Sequence, residues 1–175
     1  FWVLDPLDGT HNYFFGIPIY CVVLGLVDKE GPVNCVVFDP NRKEVFWAER
    51  GKGAFRNGEK IKVSAKEKVA ESVVCIPAQN IHRQKIKDTA WKSFSEVRIL
   101  GCGGLSMSYL ASGIIDAKIR GKNFWDEYPT SLLVTEAGGK VTSWSGGKVS
   151  LERGDMVASN GKLHQEILKL LQAKK

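Results

Sequence analysis

The feature that most limits how this chain can fold is a change of rhythm after Val63. Before it, short apolar runs alternate with tight turns. Ile19–Val27, Val33–Phe38, Glu44–Glu49 and Lys60–Val63 read as strands, separated by Asp28-Lys29-Glu30-Gly31, Asp39-Pro40-Asn41-Arg42, Gly51-Lys52-Gly53 and Asn57-Gly58. Asn-Gly between two such runs is a hairpin signal, because a type I′ turn needs positive φ at both positions. This is an antiparallel meander. The run from Ile19 to Val27 carries no charge, so it is expected to be buried on both faces. Phe1-Trp2-Val3-Leu4 is expected to be the end of another buried strand.

Beyond the meander, strands and helices alternate. Strands are expected over Ser72–Ile76, Glu96–Leu100, Asp116–Arg120 and Met156–Ser159, with one beginning at Val141. Helices are expected from about Asn80 to Phe94, from Gly101-Cys102-Gly103-Gly104 to about Ser112, from about Glu127 to Ala137, and over Leu163–Leu171. Gly113 and Gly138-Gly139 would end two of them. A meander followed by alternation implies one layered α/β domain over residues 1–175, with the meander at 1–63 and the alternating part at 70–175.

Asp5-Pro6-Leu7-Asp8-Gly9-Thr10 follows the first apolar run. It therefore places two carboxylates and a Gly-Thr turn where a strand is expected to stop. Carboxylates with a freed carbonyl suit hard cations such as Mg²⁺. Gly9 lets the backbone approach a ligand. A helical turn starting at Thr10 would face an anion with its unused amides. Far downstream, Phe124-Trp125-Asp126 precedes a helix. Asp126 suits the N-cap, and Pro129 falls in the first turn, where its missing N–H is harmless. An Asp at a helix start can cap and coordinate a cation together, so Asp126 can complete a site begun by Asp5 and Asp8.

The rest of the composition narrows the partners. No apolar run approaches the ~20 residues of a membrane span, so no membrane partner is expected. The net charge of +6 favours a small phosphorylated substrate through long-range steering. No basic stripe is interleaved with aromatics, so nucleic acid is not expected. Cys21, Cys35, Cys75 and Cys102 show no CxxC spacing, and three of them lie in apolar runs. They read as small buried hydrophobes of a reducing, cytoplasmic compartment. With His11, His82 and His164 also scattered, a Cys/His zinc site is not expected. The chain opens directly on a strand without Met, as expected of a piece of a longer protein.

Asp5-Pro6-Leu7-Asp8-Gly9-Thr10-His11-Asn12-Tyr13 resembles the first signature of the inositol monophosphatase family, and Trp125-Asp126 with Thr135-Glu136-Ala137-Gly138-Gly139 resembles the second. The turns at Phe38-Asp39-Pro40 and Gly51-Lys52-Gly53-Ala54-Phe55 also match. The resemblance covers essentially the whole chain. It implies a Mg²⁺-dependent phosphomonoesterase for inositol monophosphate or a related sugar phosphate. The implied fold is a layered α-β-α-β-α sandwich of the sugar-phosphatase type, with its first helical layer missing. Asp5 would bridge two cations, the Leu7 carbonyl would bind the first, and Asp8 and Asp126 would hold the second. The amides of Gly9 and Thr10 would cradle phosphate, and the Thr10 hydroxyl would orient the attacking water. Gly101, Cys102 and Gly103 match a segment that lines the substrate hydroxyls. The apolar meander is compatible with a homodimer.

Three departures qualify the resemblance. The family's N-terminal helices, first strand and a metal-ligating Glu have no counterpart here. The run of small residues usual after the second Asp is replaced by Glu127-Tyr128-Pro129-Thr130-Ser131. Lys118, Arg120 and Lys122 stand near where inositol-specific members carry an acidic residue. Such a cationic wall points to a substrate with a second anionic group, such as fructose bisphosphate or a 3′-phosphonucleotide. The other alternative is a relative that binds metal or phosphate without catalysis.

Overall fold

The computed structural model describes residues 1–77, 92–120, 125, 127–149 and 154–172. The expected helix from Asn80 to Phe94 falls almost entirely outside them, as do Lys122 and Asp126. The first half is a six-stranded antiparallel sheet in chain order: β1 (Trp2–Asp8), β2 (Cys21–Asp28), β3 (Gly31–Asp39), β4 (Glu44–Glu49), β5 (Gly53–Arg56) and β6 (Glu59–Lys60). A short helix α1 (Thr10–Phe14) links β1 to β2. Asn57 and Gly58 both have positive φ, 50° and 86°, and Arg56 pairs with Glu59, which is the hairpin expected from Asn-Gly.

The second sheet has the order β10-β11-β9-β7-β8. It comprises β7 (Val73–Cys75), β8 (Glu96–Arg98), β9 (Ala117–Arg120), β10 (Lys140–Thr142) and β11 (Met156–Ser159). β7 is parallel to β8 and β9, whereas β11 is antiparallel to β9 and β10. Two helices, α2 (Gly103–Ala111) and α3 (Glu127–Glu136), lie between the sheets. The closing helix α4 (His164–Gln172) packs on the far side of the second sheet.

Alternation along β11 shows the layering. Met156 and Ala158 join Val23, Val37, Phe46, Leu105 and Leu133 in the core between the sheets. Val157, between them, joins Ile119, Leu163 and Ile167 beneath α4. Successive side chains of a strand point to opposite faces, so the second sheet is covered on both. The layers run sheet, helix pair, sheet, helix, which is the expected sandwich without its first helical layer. Helix α2 is buried nearly all round, as befits a middle layer.

The first sheet differs from expectation. β2 alternates strictly between buried and open positions, with Val23 fully buried and Leu24 38% exposed. β1 behaves likewise, with Trp2 63% and Leu4 55% exposed on either side of buried Val3. Neither strand is buried on both faces, because the described chain packs helices against only one side of this sheet. β1 also continues through Asp8 instead of stopping before Asp5.

Candidate metal and phosphate site

The site begins with an irregularity in β1. Asp5 pairs with Val23 and Asp8 with Cys21, so three steps along β1 match two along β2. The extra residue is a bulge, and it reverses the side-chain alternation. Before it, odd-numbered Val3 points into the core; after it, even-numbered Asp8 does. The bulge therefore brings Asp5 and Asp8 to one side of the strand. Pro6 sits inside the bulge, where its missing N–H does not interrupt a regular ladder. The Leu7 amide donates to Oδ1 of Asp5 at 3.0 Å, which closes the turn.

Gly9 follows with φ of 85°, and α1 opens on Thr10. A side chain at Gly9 would lie 2.8 Å from the Ile19 carbonyl oxygen, so the position admits only glycine on both counts. The Thr10 hydroxyl donates to the Leu7 carbonyl at 2.9 Å. Asp5, the Leu7 carbonyl, Asp8 and the first residue of α1 thus sit within six consecutive residues of one folded corner. Burial raises the pKa of Asp5 above the ordinary carboxylate value; the Leu7 amide opposes this and the nearby Asp8 adds to it. A carboxyl made reluctant to ionise by burial and a like charge is one that a cation would satisfy.

Asp8 is buried, and its Oδ2 accepts the Gly104 N–H at 2.6 Å. The same oxygen lies 3.2 Å from Cys102 Sγ and 3.6 Å from Cys21 Sγ, and the two sulfurs are 3.5 Å apart. All four cysteines are buried free thiols. The Cys102 thiol is held far above its ordinary value by its hydrogen bond with Cys21, by burial and by Asp8. Burial pushes Cys35, in the middle of the first sheet, up to about 12.

Asn12 connects the two halves of the molecule. Its Nδ2 donates to the Ile19 carbonyl and to the Leu100 carbonyl, each at 2.7 Å. This holds the loop carrying Gly101, Cys102 and Gly103 against α1. Together they line a cavity of about 330 Å³ that also touches Asp8, His11, Lys118, Arg120 and Glu127. Glu127 is fully buried, with Oε2 3.2 Å from Lys118 Nζ and Oε1 3.3 Å from Arg120. Burial is the largest single influence and works against the Lys118 ammonium, but Glu127, joined by Cys75 and Asp8, raises its pKa.

The structure brings together Asp5, Leu7, Asp8, Gly9, Thr10, Gly101, Cys102 and Gly103. The expected cationic wall is modified. Lys118 and Arg120 do face the cavity, but Glu127 pairs with both, so the three side chains carry one net positive charge. Asn12, Cys21 and Glu127 escaped sequence reasoning as site residues. Asn12 lies inside the signature and Glu127 directly after Asp126, so position flagged them, whereas the role of each depends on a distant partner. Cys21 carried no signal at all.

A layered α/β sandwich with carboxylates on a bulged strand, beside a glycine-opened helical turn, defines a class of sugar-phosphatase folds. The sequence profile of the inositol monophosphatase family matches residues 1–175, and the chain belongs to that family. It is 33% identical to the fructose-1,6-bisphosphatase/inositol-1-monophosphatase of Thermotoga maritima, over 97% of this chain and 67% of that protein. The extragenic suppressor protein suhB of Bartonella henselae superposes with a TM-score of 0.93 at 30% identity, over 99% of this chain and 69% of its own. An IMPase/NADP phosphatase complexed with Mg²⁺ and phosphate gives a TM-score of 0.87 at 27% identity, over 99% of this chain and 67% of its own. The chain thus spans about two thirds of the length of each of these three proteins. Among the described residues, no helix is long and apolar enough to cross a membrane.

Proposed function

We propose that this chain forms the cation- and phosphate-binding part of a Mg²⁺-dependent phosphomonoesterase acting on inositol monophosphate or a related sugar phosphate. The observation that carries the reading is the bulge in β1. It turns Asp5 and Asp8 to one side, next to the Leu7 carbonyl and the opening of α1. The donor set fits a hard cation, being built from carboxylates and a carbonyl. Only Oδ1 of Asp5 and Oδ2 of Asp8 are engaged by the bonds described, so each carboxylate keeps an oxygen to offer.

Asp5, the Leu7 carbonyl, Asp8 and Asp126 would hold the cations. Bound Mg²⁺ supplies charge neutralisation and a more acidic water for in-line attack on phosphorus. The chain's own groups do the rest. The amides of Gly9 and Thr10 hold phosphate oxygens, because the first turn of a helix leaves its N–H groups without intrahelical partners. The Thr10 hydroxyl orients the attacking water by giving up its bond to the Leu7 carbonyl. Gly101, Cys102 and Gly103 form the wall along which the substrate hydroxyls lie. A cytoplasmic location and a homodimer fit this reading.

Lys118 and Arg120 favour a second reading, in which the substrate carries two anionic groups. Their excess positive charge over Glu127 would meet the group that is not hydrolysed. The test is Mg²⁺-dependent phosphate release by the protein that carries this chain. Inositol monophosphate, fructose bisphosphate and 3′-phosphoadenosine phosphate would be compared. Asp5→Asn and Asp8→Asn should each reduce release by about 10²-fold or more. Unchanged release in both would end the phosphatase reading, and the preferred ester decides between the substrates.

A further inference from the structure

Cys21 and Cys102 are 81 residues apart in the chain, yet their sulfurs meet on the carboxylate of Asp8. We propose that Asp8, Cys21 and Cys102 form a binding site for a borderline-soft divalent cation, of which Zn²⁺ is the type, with its open position facing the cavity. The inference rests on these three side chains and stands apart from the phosphatase reading, except that both claim Asp8.

The separations are those of a coordination polyhedron. Zn–S bonds are about 2.3 Å and Zn–O bonds about 2.0–2.2 Å. A tetrahedron of such bonds has S···S edges of about 3.8 Å and S···O edges of about 3.5 Å. The observed edges are 3.5 Å between sulfurs, and 3.2 and 3.6 Å from the sulfurs to Oδ2. A cation can therefore enter with shifts of a few tenths of an ångström. Three ligands from the protein and one open position is the pattern of accessible zinc sites rather than closed structural ones. Asp8 and Cys102 both line the cavity, so the fourth position is reached from it.

The surroundings fit the same assignment. Gly104 donates its N–H to Oδ2 of Asp8 and so orients that ligand from outside the coordination shell. A side chain at Gly104 would stand 2.9 Å from Cys21 Sγ and 3.3 Å from Asp8 Oδ2, filling the corner where the ligands converge. Cys102 is the N-cap of α2, whose amino end favours an anionic ligand. On binding, two S–H bonds are replaced by two metal–sulfur bonds, and both protons leave to solvent. Soft thiolates select such a cation over Mg²⁺, which prefers oxygen. A zinc ion on Oδ2 would share the Asp8 carboxylate with the hard-cation arrangement, which would use its other oxygen.

The metal-free protein carrying this chain would be titrated with Co²⁺, which reports sulfur ligation and tetrahedral geometry in its absorption spectrum. The wild type should show one equivalent of Co²⁺ with a near-ultraviolet sulfur charge-transfer band, displaced by Zn²⁺. Cys21→Ser and Cys102→Ser should each lose that band and weaken Zn²⁺ binding by more than about 100-fold. Cys35→Ser, which alters a buried thiol remote from Asp8, should keep it. X-ray absorption at the zinc edge of the wild type covers the case in which a variant does not fold. Two sulfur neighbours at about 2.3 Å would support the site. Oxygen and nitrogen neighbours alone, or a cobalt spectrum indifferent to both substitutions, would overturn it.

Discussion

Glu127 lies directly over Gly103. A methyl group built on Gly103 would stand 2.4 Å from Oε1 of Glu127 and 2.5 Å from its Cγ. The acidic residue that follows Asp126 is thus accommodated by the missing side chain of α2's first residue. It also holds Lys118 at 3.2 Å in a place where an isolated ammonium would be strongly disfavoured. Glu127→Gln removes one partner of a buried pair and should reduce stability by about 3–5 kcal/mol. Gly103→Ala should act in the same direction by forcing the carboxylate out, by about 2 kcal/mol or more. Urea midpoints of the two variants and of the wild type test this, and wild-type stability in Glu127→Gln would refute the pairing.

Asn12→Ala should loosen the site without touching any proposed cation ligand. The amide satisfies two carbonyls, of Ile19 and Leu100, at 2.7 Å each. Removing it leaves both unpaired, at about 2–3 kcal/mol in total. The loop bearing Cys102 should then exchange its amide hydrogens faster than in the wild type, while the second sheet keeps its protection. Unchanged exchange at residues 100–104 would show that the loop is held by other contacts.

How much of this was legible in the sequence depends on the range of each interaction. The meander, the hairpin at Asn57-Gly58 and the helix ends at Gly113 and Gly138 are local turn chemistry, and they appear where the residues place them. Asp5, Asp8, Gly9 and Thr10 are also close in sequence, and a motif of consecutive residues can announce itself. Cys21 on Asp8, Glu127 between Lys118 and Arg120, and Asn12 on Leu100 are all pairings across distant segments. No local pattern encodes them. The burial of β1 and β2 on both faces was misjudged for a related reason: an apolar run reports what a strand can bury, not what covers it.

The open face of the first sheet has a measurable consequence. Leu4 pairs with Leu24, Leu24 with Val36, Val36 with Trp47 and Trp47 with Phe55. Residues directly opposite share a face, so this is one continuous apolar row across five strands. Leu4, Leu24 and Val36 are 55%, 38% and 38% exposed. A contiguous apolar patch of this kind promotes association. The 175-residue chain by itself should therefore self-associate in sedimentation experiments. Leu24→Lys with Val36→Lys should shift it toward monomer. A monomeric wild-type chain at high concentration would contradict this.

Gly25 and Pro129 set the distance between β2 and α3. A Cβ at Gly25 would come within 2.2 Å of the Pro129 Cβ, and the proline ring has little freedom to yield. Gly25→Ala should destabilise by about 1–3 kcal/mol through overpacking. Adding Pro129→Gly, which removes the contacting Cβ that alanine would keep, should recover part of the loss, because the two changes share one contact. Strict additivity of the two in a double-mutant cycle would mean that the contact does not limit the packing.

His164 should make the protein acid-sensitive in a defined window. The ring is fully buried, with Nε2 2.8 Å from the Thr142 hydroxyl oxygen and Nδ1 2.8 Å from that of Ser159. Thr142 donates its own proton to the Ser143 carbonyl, so Nε2–H donates to Thr142. Ser159 accepts from the Gly161 amide and gives its proton to Nδ1. The neutral ring is satisfied at both nitrogens, and burial, with Lys140 adding to it, lowers its pKa to about 4. The unfolded chain binds a proton near the ordinary histidine value of about 6.5, above the folded pKa, so stability rises with pH between these limits. The contribution is complete above about pH 6.5 and is lost progressively as the pH falls toward 4, by about 3 kcal/mol. His164→Gln should lower stability at neutral pH but flatten this part of the profile. Urea unfolding of both proteins at pH 7 and pH 4.5 decides it: an equal loss in the two would place the acid sensitivity elsewhere.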